Sequence, residues 1–278
     1  MAKTSAVGIP IENPNDELIR AHYRAVAEKY GESPRSSMED DFVRGKEIDC
    51  IVNFYRFIKE DAQHPLKVLE VGCGNGYALE LLSSVDGTDQ FWGVDFTEEL
   101  LSIARKRQLP NCVFMQGDAR ALDAQAEFFD WVYTERCLIN ILDSDAQLEA
   151  LRQIANVLKP KGYYLMIEGF ADGLRNYNKA RLECGLPEVK EALHNKNFER
   201  DEIFAEIFDL FTLVEGPQLG KYSIASNFLS SYYFVSRVLY PALTKGEVVR
   251  NSEIAKFFSF LPPMGNYSTI QAYVLQRK

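Results

Sequence analysis

The sequence predicts an α/β fold built on a mostly parallel sheet, and three observations carry that expectation. A short apolar run, Lys67–Val71, ends in three alternating glycines, and apolar residues at helical spacing (Ala78, Leu79, Leu81, Leu82) begin at once. Strand and helix patterns then alternate as far as Ile167, which calls for parallel strands with right-handed crossovers. The closing segment Tyr267–Gln276 alternates in the manner of a half-buried last strand. With 278 residues, 46% of them hydrophobic and 26% charged, the chain is long and apolar enough for a sizeable core.

Taken in order, residues 1–15 are polar and punctuated by Pro10 and Pro14, so they are expected as an arm. A helix should follow from Asp16 on the spacing of Leu18, Ile19, Tyr23, Val26 and Tyr30, and stop at Gly31. After a loop over 32–41, a second helix carries Phe42, Val43, Ile48, Ile51, Val52, Tyr55 and Ile58. The glycine turn Gly72-Cys73-Gly74-Asn75-Gly76 permits positive φ and a close approach of backbone to ligand. Its G-x-G-x-G spacing differs from the G-x-G-x-x-G of dinucleotide sites.

Gln90–Phe96 reads as the second strand and ends in an acid. Asp95 lies 23 positions after Gly72, near the ~20-residue interval that brings a carboxylate to ribose hydroxyls in such sheets. The competing reading makes Asp95 a helix cap before Thr97-Glu98-Glu99. Cys112–Gln116 is a third strand closed by Gly117-Asp118-Ala119, and Phe129–Tyr133 a fourth, followed by Glu135-Arg136-Cys137-Leu138-Ile139-Asn140. A helix over 144–158 and a turn, Leu158–Gly162, lead into a fifth strand, Tyr163–Ile167. Glu168–Asn197 reads as a long polar connection, and so long an irregular stretch is usually functional. A helix (Arg200–Phe208), a strand (Phe211–Glu215) and an apolar stretch over 222–243 complete the chain before its last strand. That stretch is expected as a buried helix, a substrate roof or a homodimer face.

A net charge of −9 with no basic patch argues against nucleic acid as a partner. Five scattered cysteines without a C-x-x-C pair give neither a disulfide framework nor a metal site, and suit the cytoplasm. No uninterrupted apolar run reaches the roughly 18 residues of a membrane span.

Glu70-Val71-Gly72-Cys73-Gly74-Asn75-Gly76, with acids at the ends of the next two strands, resembles the first motifs of class I S-adenosylmethionine-dependent methyltransferases. The resemblance covers about residues 65–170 and, more loosely, the last strand. It implies a Rossmann-like class I methyltransferase sheet, mostly parallel with an antiparallel last strand. A helical N-terminal lid would cover residues 1–62. The methyltransferase domain would span 63–278, with insertions at about 168–200 and 222–260.

The resemblance also implies a site. Glu70, Gly72, Gly74, Gly76, Asp95, Phe96, Asp118, Ala119 and Glu135 would hold S-adenosyl-L-methionine. Asp95 would take the ribose and Asp118 the adenine amino group. The layout is similar to a bacterial subgroup that methylates sugars or other small hydroxylated metabolites, on the Ser37–Asp40 loop, the 135–140 run, His194-Asn195 and the 232–237 helix. Tyr23, Arg44, Asn195, Tyr232, Tyr233 and Arg237 are the substrate candidates. A hydroxyl acceptor profits from a base; His194, whose ordinary imidazole titrates near pH 6.5, is the first candidate and Glu168 the second. The fourth strand lacks the Asn/Asp-Pro-Pro-Tyr signature of nucleobase methyltransferases. The remaining alternatives are N-methylation of a small amine and a non-catalytic methyltransferase-like partner subunit. A nicotinamide-dependent dehydrogenase and an aminopropyltransferase fit the first motif less well.

Overall fold

The computed structural model describes residues 14–278; most of the expected arm lies outside them. Helices α1 (Pro14–Tyr30) and α2 (Asp41–Asp61) precede the sheet. Then follow β1 (Lys67–Val71), α3 (Tyr77–Ser83), β2 (Gln90–Asp95), α4 (Glu98–Lys106), β3 (Cys112–Gln116), β4 (Phe129–Glu135), α5 (Ser144–Val157) and β5 (Leu158–Gly169). The last part holds α6 (Ala171–Glu183), α7 (Arg200–Ile207), β6 (Phe211–Val214), α8 (Ser230–Phe234), a π turn (Val235–Leu239), α9 (Tyr240–Thr244), α10 (Glu253–Ser259) and β7 (Ile270–Arg277).

The seven strands lie in the order β3-β2-β1-β4-β5-β7-β6, parallel through β5, with β7 antiparallel to both β5 and β6. This is the sheet that the resemblance implied. Strand alternation sends neighbouring side chains to opposite cores. Val68, Trp131, Tyr133, Leu165 and Ile167 pack on the α2 side, whereas Leu69, Val132, Tyr164 and Met166 pack on the α5 side. Trp131, fully buried, lies within 4.8–6.1 Å of the Tyr133, Phe54 and Tyr55 rings, so α2 is part of the core.

Two expectations need correction. The 168–197 stretch is not irregular throughout, because α6 occupies its first half. Gly173 lies in that helix, and a side chain there would collide with the Ser268 carbonyl oxygen; glycine lets α6 pack on the chain entering β7. The Leu158–Gly162 turn belongs to β5 as an irregularity opposite Phe129 and Trp131, with Lys161 at φ 65°. The 222–243 stretch takes the first of its expected forms over much of its length: Leu229, Tyr232, Ser236 and Val238 are enclosed, while Leu239 and Leu243 are exposed.

That element also bends for a stated reason. Pro241 has no N–H, and its ring crowds the carbonyl four residues back, that of Arg237. The helix responds with a π turn, in which the Tyr240 N–H bonds to the Val235 oxygen. Asp40 caps α2 through the Val43 N–H, and also receives the Tyr232 phenol at 2.9 Å and the Arg237 guanidinium at 2.7 Å. One carboxylate thus fixes α2 to the C-terminal helices. Among the described residues no helix is long and apolar enough to cross a membrane.

Candidate active site

At the end of β1 the chain turns sharply, with Gly72, Gly74 and Gly76 all at positive φ. The N–H groups of Gly72 and Cys73 bond to the Val94 oxygen at 2.7 and 3.1 Å, which anchors the turn to β2. The three glycines have different reasons to be glycine. A Cβ on Gly72 would collide with Cys137 at 2.5 Å, and one on Gly76 would meet Phe114 at 2.9 Å. One on Gly74 would meet nothing within 4 Å, so its backbone faces open space.

Asp95 lies across from it. Its Oδ2 accepts from the Gly74 N–H at 2.7 Å and its Oδ1 from the Thr97 N–H at 2.8 Å. Asp95 thus braces the glycine turn, and the cap of α4 is Thr97, whose N–H Asp95 receives, rather than Asp95 itself. Burial pushes its pKa up, against the pull of those N–H groups.

A cleft of about 900 Å³ opens here at the carboxyl ends of β1 to β4. Gly72, Gly74, Asp95, Phe96, Asp118, Ala119 and Glu135 line it, as does Tyr23 from α1. Glu70 and Gly76 do not. Glu70 is buried beside Tyr133 on the neighbouring strand, and burial, reinforced by Glu135, pushes its carboxyl up to about 8. It lies near the end of β1, two residues before Gly72. Arg120 joins Asp118 to Asp16 of α1, at 2.9 Å to Asp16, which ties that helix to the cleft. Tyr23 donates to Asn140 Oδ1 at 2.7 Å on the facing wall.

Several candidates take other roles. Arg44 does not reach the cleft: it is buried and paired with Glu135 and, at 3.9 Å, with Glu47. Arg136 completes this group at 2.8 Å from Glu47 and 3.4 Å from Glu135. Burial opposes ionisation of Glu135, but Arg44 and then Arg136 outweigh it and hold the carboxylate below its usual range. Arg44 thus sets Glu135 in place rather than meeting a substrate.

Glu168 is fully buried, and its carboxylate accepts the N–H groups of Cys137, Leu138 and Ile139 at 3.0–3.2 Å. Burial still pushes its pKa up to about 7. Those three bonds close the turn after β4, so its lone pairs are committed to backbone and it does not line the cleft.

His194 also lies outside the residues lining the cleft. Its ring stacks on His22 of α1, while its carbonyl accepts from Asn140 Nδ2 at 3.0 Å. Asn195 Oδ1 accepts from the same amide at 2.9 Å and lines a separate cavity with Tyr233 and Arg237. Tyr232 lines neither; its phenol is bonded to Asp40.

Sequence reasoning passed over Asn140, Arg120, Arg136 and His22. Asn140 closes the 135–140 run, so its position was visible although its bonds were not. No side-chain cluster among the described residues could hold a metal ion.

Residues 68–162 match the family model of a methyltransferase domain. A demethylmenaquinone methyltransferase of Staphylococcus aureus strain MRSA252 is 32% identical over 106 residues. That match covers 37% of this chain and 43% of the relative, so the shared part is less than half of either. The plantazolicin methyltransferase BpumL, solved with S-adenosylhomocysteine and a desmethyl analogue, superposes with a TM-score of 0.56 over 95% of each chain at 14% identity. The methyltransferase solved with its Haloferax volcanii Trm112 activator gives 0.54 at 14% identity, over 96% of this chain and 98% of that one. The chain thus has the Rossmann-like fold of class I methyltransferases, with a methyltransferase domain matched over residues 68–162.

Proposed function

We propose that this protein transfers a methyl group from S-adenosyl-L-methionine to a small-molecule acceptor, at a hydroxyl group of a sugar or other metabolite. The observation that carries the reading is the open backbone at Gly74, held by Asp95 at the edge of the cleft. The Staphylococcus aureus relative, named for demethylmenaquinone, supports a small acceptor.

The residues present suit the cofactor. Gly74 leaves room above the turn for a ligand to approach the main chain. Asp95 offers a carboxylate to two vicinal hydroxyls, and Asp118, its two oxygens held by Arg120, borders the place for an amino group, with Phe96 and Ala119 as flanking walls. Glu135, kept ionised by Arg44 and Arg136, puts negative charge on the wall after β4. When bound, the cofactor would supply an electrophilic sulfonium methyl, and its transfer to a hydroxyl would release S-adenosylhomocysteine and the hydroxyl proton. The protein's part is alignment and exclusion of water: α1 closes over the cleft through Asp16–Arg120 and Tyr23–Asn140.

A second reading, N-methylation of a small amine, is favoured by one observation: no histidine is among the residues lining the cleft. An amine that has lost its proton to solvent needs no protein base, whereas a hydroxyl profits from one.

Calorimetry with S-adenosylhomocysteine tests the cofactor. Micromolar-range binding is expected, with Asp95→Ala weaker by roughly 1–3 kcal/mol through lost charged hydrogen bonds. No binding, or tighter binding of NAD, would overturn the assignment. Transfer of a labelled methyl group to paired alcohol and amine panels separates the two readings.

A further inference from the structure

Behind the wall made by Asn140 and Asn195 lies a second, partly open cavity. It sits over the carboxyl end of β5, where Ile139 leaves β4 and Thr269 and Ile270 lead into β7, with Ile270 paired to Gly169. Acceptors in this fold approach the sheet from that edge. Its lining is cationic: Arg181 of α6 and Arg237 of the π turn are at its inner wall, and the exposed Lys190 and Arg250 also line it.

The charges inside do not balance. Asp40 pairs with Arg237 at 2.7 Å but also receives the Tyr232 phenol. Glu191, the acid in the lining, accepts the Asn197 N–H. Arg181 is buried and forms no ion pair among the described residues. Its donors go to neutral groups: the Pro187 oxygen at 2.8 Å, the Arg237 oxygen at 2.5 Å and the Tyr177 phenol at 3.4 Å. The Arg237 carbonyl is the one that Pro241 displaces, so the π turn is what seats Arg181. Arg237 lies 3.8 Å over the Tyr233 ring, and its buried Nε has no partner. A buried guanidinium without a counter-charge is costly, and a bound anion offsets that cost.

We infer that this cavity is an oxyanion subsite, which receives a carboxylate or phosphate group of the acceptor while the reacting atom reaches the neighbouring cleft. The acceptor is then an acidic small molecule. The inference rests on the methyltransferase reading for the word acceptor, but the anion site stands on its own geometry. Planar guanidinium forks suit both oxyanions by paired N–H···O bonds, and the Tyr177 and Tyr233 phenols add donors.

The test uses the full chain with saturating S-adenosylhomocysteine, titrated with inorganic phosphate, with malonate and with glucose. Ionic strength is matched throughout with sodium chloride. Saturable binding of phosphate or malonate, and none of glucose, is expected. Arg237→Gln should weaken it roughly tenfold or more, since a charge-assisted hydrogen-bonding group is lost. Affinity for S-adenosylhomocysteine should stay the same. If Arg237→Gln does not fold, the exposed pair Lys190→Gln and Arg250→Gln carries the test, with a smaller loss in the same direction. Phosphate bound without malonate assigns a phosphate acceptor, and the reverse a carboxylate. No saturable anion binding, or equal binding in the variants, overturns the subsite. If the anion binds but S-adenosylhomocysteine does not, the methyltransferase reading and the acceptor role fall, and an anion site remains.

Discussion

The rings of His22 and His194 stack face to face, with centroids 3.9 Å apart and planes inclined by 20°. The contact joins the lid helix α1 to the loop before α7, across 172 positions of sequence. Burial lowers both imidazole pKa values, and for His194 the neighbouring His22 lowers it further. Both groups therefore bind protons less readily in the folded protein than in the unfolded chain. Their contribution to stability is full above about pH 6.5 and is lost as the pH falls through the lowered values.

The first prediction follows from that sign. Thermal unfolding of the native protein should lose stability on acidification below pH 6.5, and the His22→Gln, His194→Gln double variant should lose less over the same range. The difference between the two curves is the quantity to measure. Identical slopes would show that the two imidazoles are not held neutral by the fold.

A second prediction concerns the roles of the two histidines in turnover. Since the pair acts as one contact, His22→Ala and His194→Ala should have similar effects, chiefly a higher KM. A general base at His194 would instead lower kcat by ~10²–10⁴-fold in that variant alone. Steady-state kinetics on both variants decides between them.

The glycines of the turn should separate cleanly. Gly74→Ala adds a methyl group toward open space at φ 52°, with a strain of about 1–2 kcal/mol. It should stay folded but bind S-adenosylhomocysteine less well. Gly72→Ala meets Cys137 at 2.5 Å and should lower the melting temperature instead. Normal cofactor binding by Gly74→Ala would remove the turn from the cofactor site.

Arg44→Met should destabilise the fold by about 3–5 kcal/mol, the usual loss when one partner of a buried ion pair is removed. Glu135 and Glu47 would then share Arg136 alone. Chemical denaturation measures the change. An unaltered midpoint with a raised acceptor KM would return Arg44 to the substrate site.

Glu168→Gln keeps one acceptor where the carboxylate serves three N–H groups, and should cost about 1–3 kcal/mol through unsatisfied buried donors. Cofactor affinity should hold. A variant with native stability and a kcat lowered a hundredfold or more would make Glu168 the base after all.

The sequence by itself determined the sheet, the glycine turn and the positions of Asp95 and Asp118. Each depends on local physics: strand alternation, helical spacing, a turn that needs positive φ, an acid at a strand end. It also marked Arg44 in the N-terminal helices, Glu168 at the end of the fifth strand and His194 in the connection after it, each by position and residue type alone. What those groups touch was decided only by the tertiary structure. Arg44 meets Glu135 across 91 positions, and Asp40 meets Tyr232 across 192. His22 finds His194, and Arg181 takes the carbonyl that Pro241 displaces. Packing the two faces of one sheet brings these partners together, and a buried charge or donor must then bond to whatever that packing places beside it. No periodicity along the chain encodes such a meeting.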